Sequence, residues 1–142
     1  ILYLEVALNN QNLNAISLSG ATGNNDRVTF SDSNATNRFK ALIKVGGTTV
    51  FTVHATAISN TKAFNKYAIK WKENDFALWC NGTERHTDTS GSSFSSGTLN
   101  SVQFDRGDGA NDFHGKIRDI RVYNTKEMTD SEVDILLTKI TS

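Results

Sequence analysis

Three groups of residues in this 142-residue chain carry side chains that could do chemistry. Glu73 and Asp75 stand one residue apart, and two carboxylates across a glycosidic bond could serve as nucleophile and general acid. Asp105, Asp108 and Asp112 gather with Asn111 in a loop containing Gly107 and Gly109, and an oxygen-rich loop of this kind can wrap Ca²⁺. Trp79, Lys70 and Lys72 form the third group. An indole can stack on the apolar face of a sugar, while the two ammonium groups could bond hydroxyls or an acidic glycan.

Each group has a plainer reading. The carboxylates at 73 and 75 fall in a turn, and Ala77 and Leu78 follow with no third carboxylate, so a solvated turn outweighs a catalytic pair. The aspartate loop matches no EF-hand spacing, and a turn held by Asx hydrogen bonds outweighs a Ca²⁺ site. The tripeptide Arg106-Gly107-Asp108 is one that some adhesion receptors read, but three residues match easily by chance. His54, His86 and His114 are scattered, and no Ser/His/Asp order stands out. Cys80 lies in an apolar row, as a buried, inert thiol would. Asn34-Ala35-Thr36 and Asn81-Gly82-Thr83 fit the N-glycosylation acceptor, which matters only in a eukaryotic secretory pathway. No residue is assigned a catalytic role.

The elements that must position these groups follow from alternation. From Lys66 to Glu84 the chain reads as two strands and a turn. Tyr67, Ile69 and Trp71 share one face, as do Phe76, Leu78 and Cys80 in the second strand. Asn81-Gly82 supplies the positive φ angles of a tight turn, so a third strand should start at Thr83. Trp79 falls with Ala77 on the other face, opposite Lys70 and Lys72, where two lysines suggest water. Trp79 is therefore expected on a contact surface, for a second subunit or a glycan. Cover by the chain's own helix or loops, or by a neighbouring subunit, is the competing reading and weighs somewhat more than sugar binding.

Elsewhere Leu2, Leu4, Val6 and Leu8 mark a strand, and Asn9 to Asn12 a loop. Ile16 with Leu18 and Val28 with Phe30 mark two more strands, with a turn at Gly23 to Asp26 between them. Phe39 to Val45 and Val50 to His54 form a hairpin about Gly46-Gly47. Thr83 to Asp88 reads as a polar edge strand. Ser90 to Thr98 reads as a loop crossing one end of a sandwich. Val102 and Phe104 lie on a strand, and Phe113 to Asn124 is the last one. There Ile117 is out of phase with Ile120 and Val122, which predicts a bulge near Arg118-Asp119. Only the end is helical: Thr129-Asp130-Ser131-Glu132 is a capping box, followed by Val133, Leu136, Leu137 and Ile140 on one face. This helix should pack on a sheet edge or sandwich end.

Composition narrows the class. Lys plus Arg and Asp plus Glu number 15 each, so the chain lacks the basic excess of a nucleic-acid footprint. One cysteine allows no internal disulfide. No apolar run approaches a membrane span, so no membrane insertion is expected. The length suits one domain with a core between two sheets. The start at Ile1, already inside a strand pattern, suggests the C-terminal part of a longer chain.

Leu78-Trp79-Cys80-Asn81-Gly82, then Phe113-His114-Gly115-Lys116-Ile117, Arg121-Val122-Tyr123-Asn124 and the Thr129-Asp130-Ser131-Glu132 helix start occur in a recognisable order. The chain resembles the concanavalin A-like, laminin G-like jelly-roll domains, over nearly its whole length. Its opening LYLEVAL and the run NDFALWCNG most resemble C-terminal domains of bacteriophage tail and virion structural proteins. The resemblance implies an all-β, two-sheet antiparallel jelly-roll sandwich with one short C-terminal helix, residues 1–142 forming a single domain. It is far less specific for function, since this fold hosts lectins, adhesion domains and glycosidases. Glycosidases of related fold carry E-x-D-x-x-E on a strand, which the stretch after Glu73 does not continue. The expectation is a non-enzymatic adhesion module on a virion surface, meeting other virion proteins, identical subunits or a cell-surface glycan. The alternatives are a carbohydrate-binding module of a secreted polysaccharide-degrading enzyme and, less favoured, a glycoside hydrolase. No cofactor is expected; a Ca²⁺ at Asp105, Asp108 and Asp112 is the less favoured alternative to a solvated turn.

Overall fold

The computed structural model of the chain describes residues 1–9, 14–20, 24–33 and 35–142. Among these are ten strands and one helix: β1 Leu2–Ala7, β2 Ala15–Ser19, β3 Arg27–Asp32, β4 Arg38–Val45, β5 Thr48–Ala57, β6 Asn65–Lys72, β7 Asp75–Cys80, β8 Thr83–Asp88, β9 Ser101–Gln103, β10 Lys116–Val122 and α1 Asp130–Thr141. They form two five-stranded sheets, β10-β1-β6-β7-β8 (sheet I) and β5-β4-β3-β2-β9 (sheet II). Every pairing is antiparallel. This is the all-β, two-sheet sandwich with a C-terminal helix that the resemblance implied. All but the first residue of the loop expected at 9–12, the start of the turn at 23–26 and the acceptor Asn34 lie outside the described residues.

The alternating rows meet between the sheets. Leu2, Leu4, Tyr67, Ile69, Phe76 and Leu78 of sheet I pack against Ile16, Val28, Phe30, Phe39, Ile43 and Phe51 of sheet II. Tyr67 stands at the centre, its ring 4.5 Å from that of Phe30 and 4.7 Å from that of Phe39. Cys80 is buried in the same row, and burial pushes its thiol up to about 11. That is the inert thiol its position implied.

The turns are where the sequence placed them. Gly46 and Gly47 join β4 to β5, and Asn81 and Gly82 join β7 to β8, all with φ between 48° and 83°. Such left-handed pairs match the twist of the flanking strands. Between β1 and β10 the register shifts from Glu5↔Asp119 to Val6↔Ile117, so Arg118 is the extra residue of a bulge. The bulge sets Ile117 opposite Val6 and turns Arg118 outward, onto Glu5 at 2.7 Å and over the Phe64 ring at 4.0 Å.

The helix corrects an expectation. Its capping box is present: Glu132 N–H donates to Thr129 Oγ1 at 3.3 Å, and Thr129 N–H to Glu132 Oε2 at 2.8 Å. It packs, however, across the outward face of sheet I and not on an edge or end. Val133 and Leu137 bury themselves on Ala68, Ala77, Trp79 and Ile1. Small side chains at 68 and 77 leave room for a helix to seat there. Among the described residues no helix is long and apolar enough to cross a membrane.

Candidate functional site

At one end of the sandwich the hairpin β6–β7 turns at the margin of the core. Trp71 and Phe76 face each other across it, but Phe76 is fully buried while Trp71 is only partly buried. The segment after β8 folds back against this hairpin. Asn74 N–H donates to Gly91 O at 2.9 Å, and Gly91 N–H to Asn74 Oδ1 at 3.1 Å. Gly91 has φ of 136°, and a Cβ there would stand 3.2 Å from the Phe76 ring and 3.3 Å from Val50. Both its backbone conformation and the close approach call for glycine. This clamp carries Phe94 to Trp71, the two rings meeting edge to face with centroids 6.4 Å apart.

The result is an open groove of about 730 Å³. Trp71 and Phe94 form its aromatic wall, Leu18, Leu99 and Val122 contribute apolar surface, and Tyr123 closes the side towards the helix. Charged groups stand along it in pairs. Lys70 Nζ is 2.6 Å from Asp75 and 3.7 Å from Asp134 of the helix, and Lys72 Nζ donates to Asp130 at 2.7 Å. The hydrogen bond from Lys72 holds the Asp130 carboxyl below the usual carboxylate range. A general acid needs the opposite shift. The groove thus offers aromatic faces beside fixed ammonium and carboxylate groups, an arrangement suited to a molecule with both apolar faces and hydroxyls.

Of the three residues expected at a contact surface, Lys70 and Lys72 line this groove and Trp79 does not. Trp79 lies on the outward face as alternation required, but the helix covers it to 9% exposure. Lys70, 8% exposed, is likewise no sign of a wet face, because Asp75 and Asp134 enclose its charge. The expectation of an open indole at 79 is corrected for a physical reason: the final helix supplies the missing layer. Trp71 is the tryptophan at the groove, overlooked because it shares a row with core residues. Its place next to the Glu73-Asn74 turn, at the end of its strand, was the available signal.

The aspartate loop does not assemble as a cation site. Asp105 accepts from Gly107 N–H within the loop, and Asp108 accepts from Arg106 Nη2 at 2.5 Å. Among the described residues no three His, Cys, Asp or Glu side chains converge to hold a metal ion. Asp105, Asp108 and Asp112 therefore do not fit a Ca²⁺, and Asp105 and Asp108 make the Asx-type bonds of the favoured turn, accepting from Gly107 N–H and Ala110 N–H. Arg106-Gly107-Asp108 is folded on itself, the two charges paired and Gly107 buried, so it is not displayed as an adhesion tripeptide. Asn81 is used internally, accepting from Lys66 N–H at 3.0 Å and donating to Asn65 at 2.8 Å. Glu73 and Asp75 sit at the β6–β7 turn, Asp75 held by Lys70.

Residues 3–134 match the family model of the Concanavalin A-like lectin/glucanases superfamily, laminin G-like type, and the chain belongs to that superfamily. Among solved structures it is similar to the CBM40 of the Ruminococcus gnavus IT-sialidase, with TM-score 0.67 and 16% identity, covering 96% of this chain and 80% of that one. It is also similar to a leech intramolecular trans-sialidase complexed with 2,7-anhydro-Neu5Ac, with TM-score 0.66 and 19% identity. That match covers 99% of this chain but only 22% of the leech enzyme. At such identities the likeness is one of fold. No curated protein is similar enough in sequence to match.

Proposed function

We propose that this chain is a non-catalytic carbohydrate-binding module that works outside the cell as part of a secreted glycan-degrading protein. The observation that carries the reading is the partly buried Trp71–Phe94 pair lining an open groove beside charged groups. Trp71 and Phe94 pack against the margin of the core and keep part of their rings open to the groove. There a ring face can meet the apolar face of a pyranose, while Lys72 and Asp130 stand where hydroxyls can bond them. Two of the carboxylates near the groove, Asp75 and Asp130, are each paired with a lysine, which supports the non-catalytic reading. The fold shared with a sialidase-borne CBM40 supports a glycan ligand and an extracellular setting. Sequence resemblance to phage virion domains would change the bearer of the groove and leave its chemistry unaltered; the solved neighbours favour the enzyme setting.

A glycan array probed with the labelled chain and with Trp71→Ala tests this. Retention on at least one glycan, weakened about tenfold or more (roughly 1.4 kcal/mol) in the variant, is the expected result. Retention on none, or equal retention by both proteins, overturns the assignment. Release of reducing ends from a bound glycan would overturn the non-catalytic part.

A further inference from the structure

The two margins of the sandwich differ. At one, β5 and β8 approach each other, and β8 carries only polar residues from Thr83 to Asp88. An edge of that kind resists pairing with another chain. At the other, between β9 and β10, the edges are apolar. Val102, Phe104, Ile117 and Val122 are 41%, 54%, 38% and 50% exposed, and all four lie on or next to these two strands. Val102 stands across from the inward-facing Leu18, and Val122 across from the inward-facing Leu2. Both therefore take the core side of their strands and still meet water. Single exposed apolar side chains are ordinary, but four along one margin mark a contact surface.

The backbone of β10 narrows the kind of contact. Tyr123 N–H donates to Ile1 O at 2.9 Å, and Ile1 N donates to Tyr123 O at 3.0 Å. Antiparallel pairing alternates, so Arg121 and Asp119 also turn their N–H and C=O groups towards β1, while Val122 and Ile120 turn theirs away. Among the described residues no strand pairs on that side, because β10 ends sheet I. The outward groups form a short open ladder that the bulge at Arg118 terminates. The side chains then select the occupant. A copy of the chain pairing antiparallel must set outward residues against outward ones, which leaves registers centred on Asp119, Ile120 or Arg121. Centring on Asp119 opposes two carboxylates, and centring on Arg121 opposes two guanidinium groups; like charges directly across a ladder are destabilising. Centring on Ile120 sets Asp119 across from Arg121 of the second copy on both sides of the axis. The edge is complementary to itself in that register.

We propose that a second copy of this chain pairs along β10, antiparallel about a two-fold axis through Ile120, so that sheet I continues across the seam. Ile120 N–H then donates to Ile120 O of the copy and its carbonyl accepts the reciprocal bond. Asp119 and Arg121 already pair within one chain at 2.7 Å, so the dimer closes a ring of four alternating charges. The two-fold sets Val122 across from Arg118 of the copy and takes it out of water. The seam uses neither Trp71 nor Phe94 and stands independently of the glycan reading.

Sedimentation equilibrium of the full chain, with no glycan present, tests this. The wild type should pass from monomer to dimer within a range of about 1 μM to 1 mM. As it does, hydrogen exchange should slow at the Ile120 and Val122 amides and change little at those of Asp119 and Arg121, which already face β1. Asp119→Arg and Arg121→Asp each oppose like charges across the seam and should weaken association by about tenfold or more. Mixed in equal amounts, the two variants should associate with each other, which also shows that both have folded. A wild type that stays monomeric to about 1 mM overturns the proposal. So does a dimer that either variant leaves at full strength, or one whose Ile120 and Val122 amides exchange as fast as in the monomer. That last readout needs no variant, so a substitution that fails to fold does not shelter the proposal. Folded variants that do not associate when mixed would overturn the Ile120 register and the seam with it.

Discussion

Trp71 and Trp79 sit on neighbouring strands of one hairpin, and alternation assigns them opposite fates from those they meet. Trp71 is on the inner row with Tyr67 and Ile69, yet it is only partly buried, packed at the margin of the core where the groove opens. Trp79 is on the outer row with Ala77, yet it is enclosed because a helix from the far end of the chain lies on it. Facing inward buries a side chain only as far as the opposite sheet extends. Facing outward exposes it only where no third layer arrives. The lesson extends to sheet II, where Ser17 and Thr29 face outward and are buried all the same.

The sharpest way to break this contrast is to truncate both indoles. Trp79→Ala removes the largest side chain between helix and sheet and should cost about 3–5 kcal/mol, read from urea unfolding. Trp71→Ala should cost no more than roughly 1 kcal/mol while removing glycan retention. Equal destabilisation by the two changes would mean that Trp71 is core and the groove is not a site. Leu137→Ala, on the covering side of the same interface, should lose about 2–5 kcal/mol. If it costs no more than a surface substitution, the helix does not hold Trp79 down.

Smaller effects sharpen the role of the helix. Thr129→Ala should lose about 1 kcal/mol, the usual worth of an N-cap, and amide exchange should quicken through the first turn. Unaltered exchange there would show that the capping box contributes nothing. The last effect is a pH dependence. Lys72 holds Asp130 below the usual carboxylate range, and hydrogen bonds from Thr129 do the same for Glu132. A carboxyl lowered in the folded state adds stability above its unfolded value of about 4, and this is lost as pH falls through the folded value. The stability difference between the wild type and Lys72→Met should therefore be present at neutral pH and fade in acid. A difference that persists unchanged below about pH 3 would contradict the Lys72–Asp130 contribution.

Much of the architecture was legible residue by residue. Alternation in Phe76 to Cys80 and Phe39 to Val45, left-handed turns at Asn81-Gly82 and Gly46-Gly47, the bulge at Arg118 and the capping box at Thr129 are local properties. Period, turn chemistry and capping act over a few residues, so a single sequence carries them in full. The inner rows of the two sheets follow from the same periods. The resemblance to laminin G-like jelly rolls agreed with that reading and with the superfamily match over residues 3–134.

What the tertiary structure alone decided is cover. The seat of the helix on Ala68, Ala77 and Trp79, the clamp of Gly91 on Asn74 that brings Phe94 to Trp71, and the pairing of Asp108 with Arg106 beside Arg27 each join segments or settle burial that no local period encodes. The site expected at Trp79 failed for that reason, and the groove at Trp71 was missed for the same one. A strand's own residues specify which way each side chain points. How far the opposing sheet reaches, and which distant segment arrives to exclude water, depend on the packing of the whole chain.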